Sequence, residues 1–345
     1  MGKTAAIYNP YLDTLGGGER YTLMFAKVLA ELGFIVDIEW SDKEILSKLN
    51  NRFGFKSNAN IKIVDSVKRG ENYDLIFYVS DGSIPTLRSR NNYLHFQVPF
   101  MNVNGRSLLN KMKLYRVNKI ICNSIFTKAV IDKEYGVNSQ VLYPPIDTDL
   151  FRPMRKENNI LYVGRFSSLM QYKGQEILID SFKKLYQKGI KDWKLILAGG
   201  VEVGSDKMLS ELKKSIEGYP IEIVESPTFE DLKILFGKSK IFWSASGYGI
   251  DESREPQKVE HFGMTVVESM SAGNVPVVSN IGGHKEIIDN GKNGILWNSQ
   301  EELIEQTFNL INTKSLIGKF SKECIISSLK FSNREFKKEV LQILK

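Results

Sequence analysis

Two glutamates, Glu260 and Glu268, stand with seven residues between them, around a Phe262-Gly263 step. The small and apolar run after Gly263 has the character of a buried helix, which Gly273-Asn274 ends before a strand-like Val275-Pro276-Val277-Val278. With Gly263 at the loop-to-helix junction, Glu260 lies just before the helix and Glu268 about one turn into it. The first amide N–H groups of a helix lack intrahelical partners and point outward with the positive end of its dipole. Such an end holds phosphate readily. An acid beside it can meet a sugar, and an acid a turn further in can accept hydrogen bonds from ribose hydroxyls. Two cations stand upstream in one loop, Arg165 and Lys173. A guanidinium and an ammonium held near a departing diphosphate offset the charge that builds in the transition state, without a metal ion.

Glu260, Glu268 and the following Ser271-Ala272-Gly273-Asn274-Val275-Pro276-Val277-Val278, with Gly282-Gly283 after them, resemble the signature of retaining, nucleotide-sugar-dependent glycosyltransferases of family 4, which have the GT-B fold. Two acids at this spacing alone would suit an ordinary amphipathic helix with solvated acids; the Phe-Gly step, the small-residue helix and the Gly-x-x-Pro-Val-Val exit carry the resemblance. It implies an α/β protein of two Rossmann-like domains facing each other across a cleft, with a C-terminal helix returning to the first. It implies that Arg165 and Lys173 serve the diphosphate, that Glu268 takes the ribose, and that Glu260 serves the donor sugar or its developing positive charge. The donor would also lie against Gly164, Gly199 and the amides around Phe262, Gly263, Met264 and Thr265. These enzymes often carry a cleft histidine from the first domain that contacts the transferred sugar, and His95 is the residue in that place. By residue type alone, a single histidine at a strand end is more often a hydrogen-bonded structural group. His261 and His284 read as structural.

The Glu260-His261-Phe262-Gly263 form and the Tyr143-Pro144-Pro145 stretch are similar to those of mannosyltransferases that extend lipid-linked oligosaccharides. That points to a GDP- or UDP-linked hexose donor, with mannose favoured, and to a glycan or lipid-borne acceptor. No cofactor and no metal are expected. Asp147-Thr148-Asp149 has the form of a divalent-cation motif, but it stands at the entrance between the halves rather than at the end of a buried apolar strand. Other readings stay open: a non-catalytic nucleotide-sugar-binding module, a GT-B epimerase, or a phosphorylase, for which no lysine stands out as a pyridoxal phosphate site. Residues 247–258 form a longer link before Glu260 than the family uses, either shaping a substrate pocket or forming a surface insertion.

The elements that must position these residues follow from the pattern. Residues 4–8 and 34–39 read as strands flanking a Gly16-Gly17-Gly18 loop and a helix of period 3.6, the opening of a doubly wound α/β domain. The loop is not a dinucleotide fingerprint; Gly17 and Gly18 let backbone approach a phosphate or an acceptor sugar, and Glu19 can cap the helix. Strands at residues 74–79, 92–98 and 117–123 continue the first half. The prolines and polar residues of 152–159 make the best linker, giving domains 1–152, joined by the tail 332–345, and 153–331. The second half repeats the alternation, with strands at 160–163, 194–198, 222–225, 241–244 and 275–279 and a helix opening after Lys173-Gly174.

A chain of 345 residues suits two cores. Apolar content of 42% and charged content of 25% are those of a globular protein. No window approaches the ~20 apolar residues a membrane span needs, the first residues lack the form of a signal peptide, and Cys122 and Cys324 suggest neither disulfide framework nor zinc site. A cytoplasmic setting fits. The net charge of +7 is not accompanied by any nucleic-acid module. Basic residues are densest between Arg106 and Lys133, interleaved with Leu108, Leu109 and Met112. A solvated helix face is the default there, and peripheral contact with an anionic membrane surface the alternative.

Overall fold

The structure is a computed structural model, and it describes every residue except Met1, Leu15, 168–170 and Val203, and the side chain of Lys314. The chain forms two compact units, Met1–Pro145 with Asn333–Lys345, and Ile146–Ser332.

The first unit alternates strands and helices: β1 (Thr4–Tyr8), α1 (Gly17–Glu31), β2 (Ile35–Glu39), α2 (Ile45–Phe53), β3 (Ile61–Val64), β4 (Leu75–Val79), β5 (Asn91–Phe96), α3 (Leu108–Leu114), β6 (Lys119–Cys122), α4 (Ile125–Tyr135) and β7 (Gln140–Val141). Its seven strands lie in the order β3-β2-β1-β4-β5-β6-β7, every pair parallel. Parallel sheets are covered on both faces, which is why β1 and β4 read as unbroken apolar runs rather than alternating ones. Helix α1 takes in Gly17 and Gly18 of the expected glycine loop. Gly16 is its N-cap, and the Glu19 carboxylate turns back to accept the Gly16 N–H at 2.7 Å.

The second unit runs β8 (Asn159–Val163), α5 (Gln175–Gln187), β9 (Lys194–Gly199), α6 (Asp206–Ser215), β10 (Ile221–Glu225), α7 (Phe229–Lys238), β11 (Ile241–Ser244), α8 (Met264–Ser271), β12 (Val275–Ser279), α9 (His284–Ile287), β13 (Ile295–Trp297), α10 (Gln300–Asn312) and α11 (Lys314–Ser328). Its sheet is again parallel, in the order β10-β9-β8-β11-β12-β13. Tyr162, Phe182, Trp243 and Trp297 fill its core. The last helix, α12 (Asn333–Ile343), belongs to the first unit, where Phe336, Val340 and Ile343 are buried in the same core as Tyr21 and Phe77.

The division falls at Pro145–Ile146, ahead of residues 152–159. Packing explains the place. The Ile146 N–H donates to Phe331 O at 2.8 Å, and Phe151 meets Phe229 and Phe236 edge-on, so this stretch is tied to the second unit before the polar run begins.

Candidate functional site

The second unit holds most of the residues with chemical potential, in the loops that follow its parallel strands. This is the edge where open α/β sheets place their ligands. After β8 the chain passes Gly164 and runs beside the end of β9: the Gly164 N–H donates to Ala198 O at 3.0 Å, and the Phe166 N–H to Gly200 O at 2.8 Å. A Cβ on Gly199 would fall 1.8 Å from Gly164 O, and one on Gly164 would fall 2.3 Å from the Tyr162 hydroxyl. Gly199 is therefore demanded by close backbone approach and Gly164 by the buried Tyr162 ring, whatever they bind. Of the loop that follows, residues 168–170 lie outside the described residues.

From Gln171 onward the chain is strapped to the segment before α8. Gln171 Nε2 donates to Val259 O at 3.1 Å, and the Tyr172 N–H to Lys258 O at 3.2 Å. These bonds bring Lys173 and Glu260 together. Lys173 Nζ stands 3.0 Å from Glu260 Oε2, with the two side chains only 14% and 19% exposed, and 2.7 Å from Gln171 Oε1. Burial pushes the Glu260 carboxyl up, but the Lys173 ammonium, with the imidazoles of His284 and His261 near it, overrides burial and holds it at about 2. Glu260 is thus an anion at neutral pH in a largely dry place.

The backbone under Glu260 is set by Gly282 and Gly283. The Gly283 N–H donates to Glu260 O at 2.7 Å, while Cβ atoms on Gly282 and Gly283 would lie 2.3 Å from Glu260 O and 2.4 Å from Phe262 Cα. Gly263 then turns the chain at φ 112°, ψ 57°, as the N-cap of α8. Phe262 is buried against Phe331, with ring centres 5.3 Å apart. Met264 and Thr265 are half-buried in the first turn, and Glu268 is buried one turn in. The geometry expected of this stretch, a glycine-opened buried helix with one acid before it and one within it, is the geometry found.

Arg165 is half-exposed, with its guanidinium 2.7 Å from Glu202 Oε1. Glu202 was not singled out from the sequence, although it stands two residues after the Gly199-Gly200 step at the end of β9. A second residue missed is Glu252. Its carboxylate accepts the Gly282 N–H at 2.7 Å and pairs with Lys285, so residues 247–258 brace the glycine turn beneath Glu260. His284 is fully buried; Nδ1 donates to Ser279 O at 3.0 Å, and Nε2 has no hydrogen-bond partner. His261 Nε2 meets Gln257 O at 3.1 Å.

Three predicted site residues lie in the first unit. Gly17 and Gly18 open α1, and a Cβ on Gly18 would strike Gln97 Oε1 at 2.0 Å; Gln97 Nε2 in turn donates to Gly18 O at 3.2 Å. His95, expected to meet the transferred sugar, lies near the end of β5. It has no exposed surface, its ring lies 4.4 Å from that of Tyr21 and 5.0 Å from that of Phe77, and Nδ1 meets Ile121 O at 3.1 Å. Burial pushes its pKa down to about 3. It is a neutral imidazole whose Nε2 has no hydrogen-bond partner. Asp149 approaches Arg152 at 3.4 Å, and among the described residues no three His, Cys, Asp or Glu side chains cluster as a metal site would require.

The family model of the glycosyl transferases group 1 matches residues 151–324, half of the chain. The chain belongs to this family. Among relatives of this group 1 chain, an uncharacterized glycosyltransferase of Methanocaldococcus jannaschii, MJ1178, is 27% identical over 60% of the chain and 54% of its own length. The GDP-Man:Man(3)GlcNAc(2)-PP-Dol alpha-1,2-mannosyltransferase of Dictyostelium discoideum is 24% identical over 62% of the chain and 43% of its own length. The chain thus spans about half the length of these relatives. The alpha-1,3/1,6-mannosyltransferase ALG2 of the same organism is 26% identical over 70% of the chain and 67% of its own. In fold, the chain matches Anabaena Alr3699/HepE, solved with UDP and glucose, at a TM-score of 0.77 over 99% of both chains with 17% identity. A glycosyltransferase from Rickettsia africae matches at 0.78, over 99% and 97%, with 20% identity. These matches make the architecture that of the two-domain GT-B proteins.

Proposed function

We propose that this group 1 protein transfers a hexose, with mannose favoured, from a nucleoside diphosphate sugar to a hydroxyl of a glycan or lipid-linked glycan, with retention at the anomeric carbon. The observation that carries the proposal is the half-buried Lys173–Glu260 pair set beside the N-terminus of α8. The mannosyltransferases among its relatives support the sugar class, and the UDP and UDP-glucose complexes of a fold neighbour support the donor class.

In this reading the diphosphate meets Lys173, Arg165 and the first amides of α8, whose partial positive charge favours an anion. As the bond from the sugar to the diphosphate breaks, charge gathers on the leaving phosphate and a positive charge develops on the sugar. Lys173 offsets the first. Glu260, already ionised, offsets the second or accepts a sugar hydroxyl, with no proton to lose beforehand. The acceptor hydroxyl then forms the new bond on the face the diphosphate leaves, and its proton passes to the departing phosphate. Glu268 takes the ribose hydroxyls. No step calls on a metal ion, so transfer should survive EDTA.

The test is thermal unfolding with GDP, UDP and ADP side by side. A diphosphate about 100-fold above its dissociation constant stabilises the native state by about 2.7 kcal/mol. A selective rise with one base, absent in Lys173→Ala, is the expected result. A flat response from folded wild-type protein to all three would end the donor-site reading. Release of free sugar or transfer from the matching donor then separates an enzyme from a binding module.

A further inference from the structure

The first part of the basic stretch noted in the sequence forms one short helix, α3, with an unusual outward face. The three most exposed large apolar side chains among the described residues all stand on α3 and its C-cap: Tyr115 at 93%, Leu108 at 75% and Met112 at 64%, with Leu109 beside them at 61%. At about 100° per residue, positions 108, 112 and 115 form one stripe and 109 widens it. Lys111 falls on one flank of the stripe and Lys113 on the other, with Arg116 at its C-terminal end. Leu114 points the opposite way and packs with Val117 against the core of Leu94, Phe96 and Tyr135. The outward apolar face is therefore additional to the inward one and has no role in this core.

The helix is held firmly. Ser107 caps it, accepting the Asn110 N–H at 3.3 Å, and the Arg106 guanidinium donates to Lys133 O at 2.7 and 3.0 Å. The nearby acids are spent elsewhere: Glu134 accepts the N–H groups of Asn102, Val103 and Gly105, and Asp132 pairs with Lys128. No acidic residue occurs from Arg106 to Ile131, and no ion pair involves Lys111, Lys113, Arg116 or Lys119 among the described residues.

We propose that α3 is a docking element for an anionic lipid bilayer, seating Leu108, Leu109, Met112 and Tyr115 at the headgroup boundary while Lys111, Lys113 and Arg116 meet lipid phosphates. A soluble protein partner would need complementary acids and a shaped pocket for four large side chains. An anionic lipid surface supplies both negative charge and a deformable apolar layer, and amphipathic helices with basic flanks lie in it. Lysine stems extend along the apolar layer and keep their ammonium groups at its edge. The proposal is independent of the donor chemistry, though it would bring the protein to where lipid-borne acceptors are.

Flotation of the full chain with phosphatidylcholine vesicles, with and without phosphatidylglycerol, tests it. Wild type should float with the anionic vesicles only, less so at high salt. The triple variant L108N/M112N/Y115N and the double variant K111E/K113E should each bind roughly tenfold more weakly or worse. Both should keep the wild-type unfolding temperature and the wild-type response to nucleoside diphosphate, so that loss of flotation is not confused with loss of the donor site. Failure of wild type to float, or a triple variant that floats as well as wild type, would overturn the proposal. So would a wild-type dimer that the triple variant makes monomeric without any vesicle binding, since a second copy would then cover α3.

Discussion

A carboxylate as enclosed as Glu260 would ordinarily be driven toward its neutral form; the Lys173 ammonium at 3.0 Å reverses the sign. Because the folded-state pKa is depressed from the usual 4.5 to about 2, the pair's contribution to stability is fully present above 4.5 and is lost as pH falls through about 2. Urea unfolding of wild type and Glu260→Gln at a series of pH values should show a gap that is constant at neutral pH and closes on the acid side. A gap that closes near pH 6 instead would mean that Glu260 titrates in the ordinary range. The transfer rate should likewise show no acid limb from Glu260 above about pH 4. His95 teaches the converse. Its type and strand-end position allowed either a sugar contact or a core role; the fold stacks Tyr21 and Phe77 on the ring and leaves Nε2 without a partner. Burial of that kind depends on residues far apart in the chain, and no local pattern announces it.

The turn under Glu260 is where backbone, rather than side chain, does the positioning. Gly282 has φ 57° and no room for a Cβ, while Gly291 has φ 81° and nothing within 4 Å of one. Both variants to Ala pay the left-handed backbone cost of about 1 kcal/mol. Gly282→Ala alone must also push Glu260 O aside, adding a further ~1–3 kcal/mol and lowering the turnover more than Gly291→Ala does. Equal loss of stability and equal turnover in the two variants would show that the close approach is not needed. Glu252→Ala, which frees the Gly282 N–H, should shift turnover in the same direction at a smaller cost, about 1 kcal/mol. The Gly-Gly pair was legible because it belongs to a motif of fixed spacing. Glu252 and Glu202 were not, because their partners are Gly282 and Arg165, reached only by folding. The same holds for β3, four residues at the rim of its sheet, and β7, with two. Segments so short carry too little periodicity to separate strand from loop. The long buried strands and the helices opened by glycine were readable from pattern alone.

The first unit is built from both ends of the chain, and its stability is therefore tied to a helix that arrives last. In α12, Phe336 sits edge-on to Tyr21 with ring centres 5.2 Å apart, Val340 and Ile343 complete the cluster, and the Tyr93 hydroxyl donates to Ile343 O at 3.3 Å. Lys337 adds an exposed pair with Glu31 at 2.8 Å, worth little by itself. The second unit has its own core, from Tyr162 to Trp297, and takes no part in this cluster. Truncating Phe336 to Ala removes a buried aromatic and leaves a cavity, a change that costs about 3–5 kcal/mol. If the two units unfold separately, that loss should fall on the first alone. Hydrogen exchange of Phe336→Ala should then show faster opening in β1, α1 and β4, with β8, β9 and β11 as protected as in wild type. Equal loss of protection in both sheets would mean that the chain unfolds as one cooperative body. In that case the contiguous stretch Ile146–Ser332, for all its complete sheet and core, would not stand without the elements on either side of it.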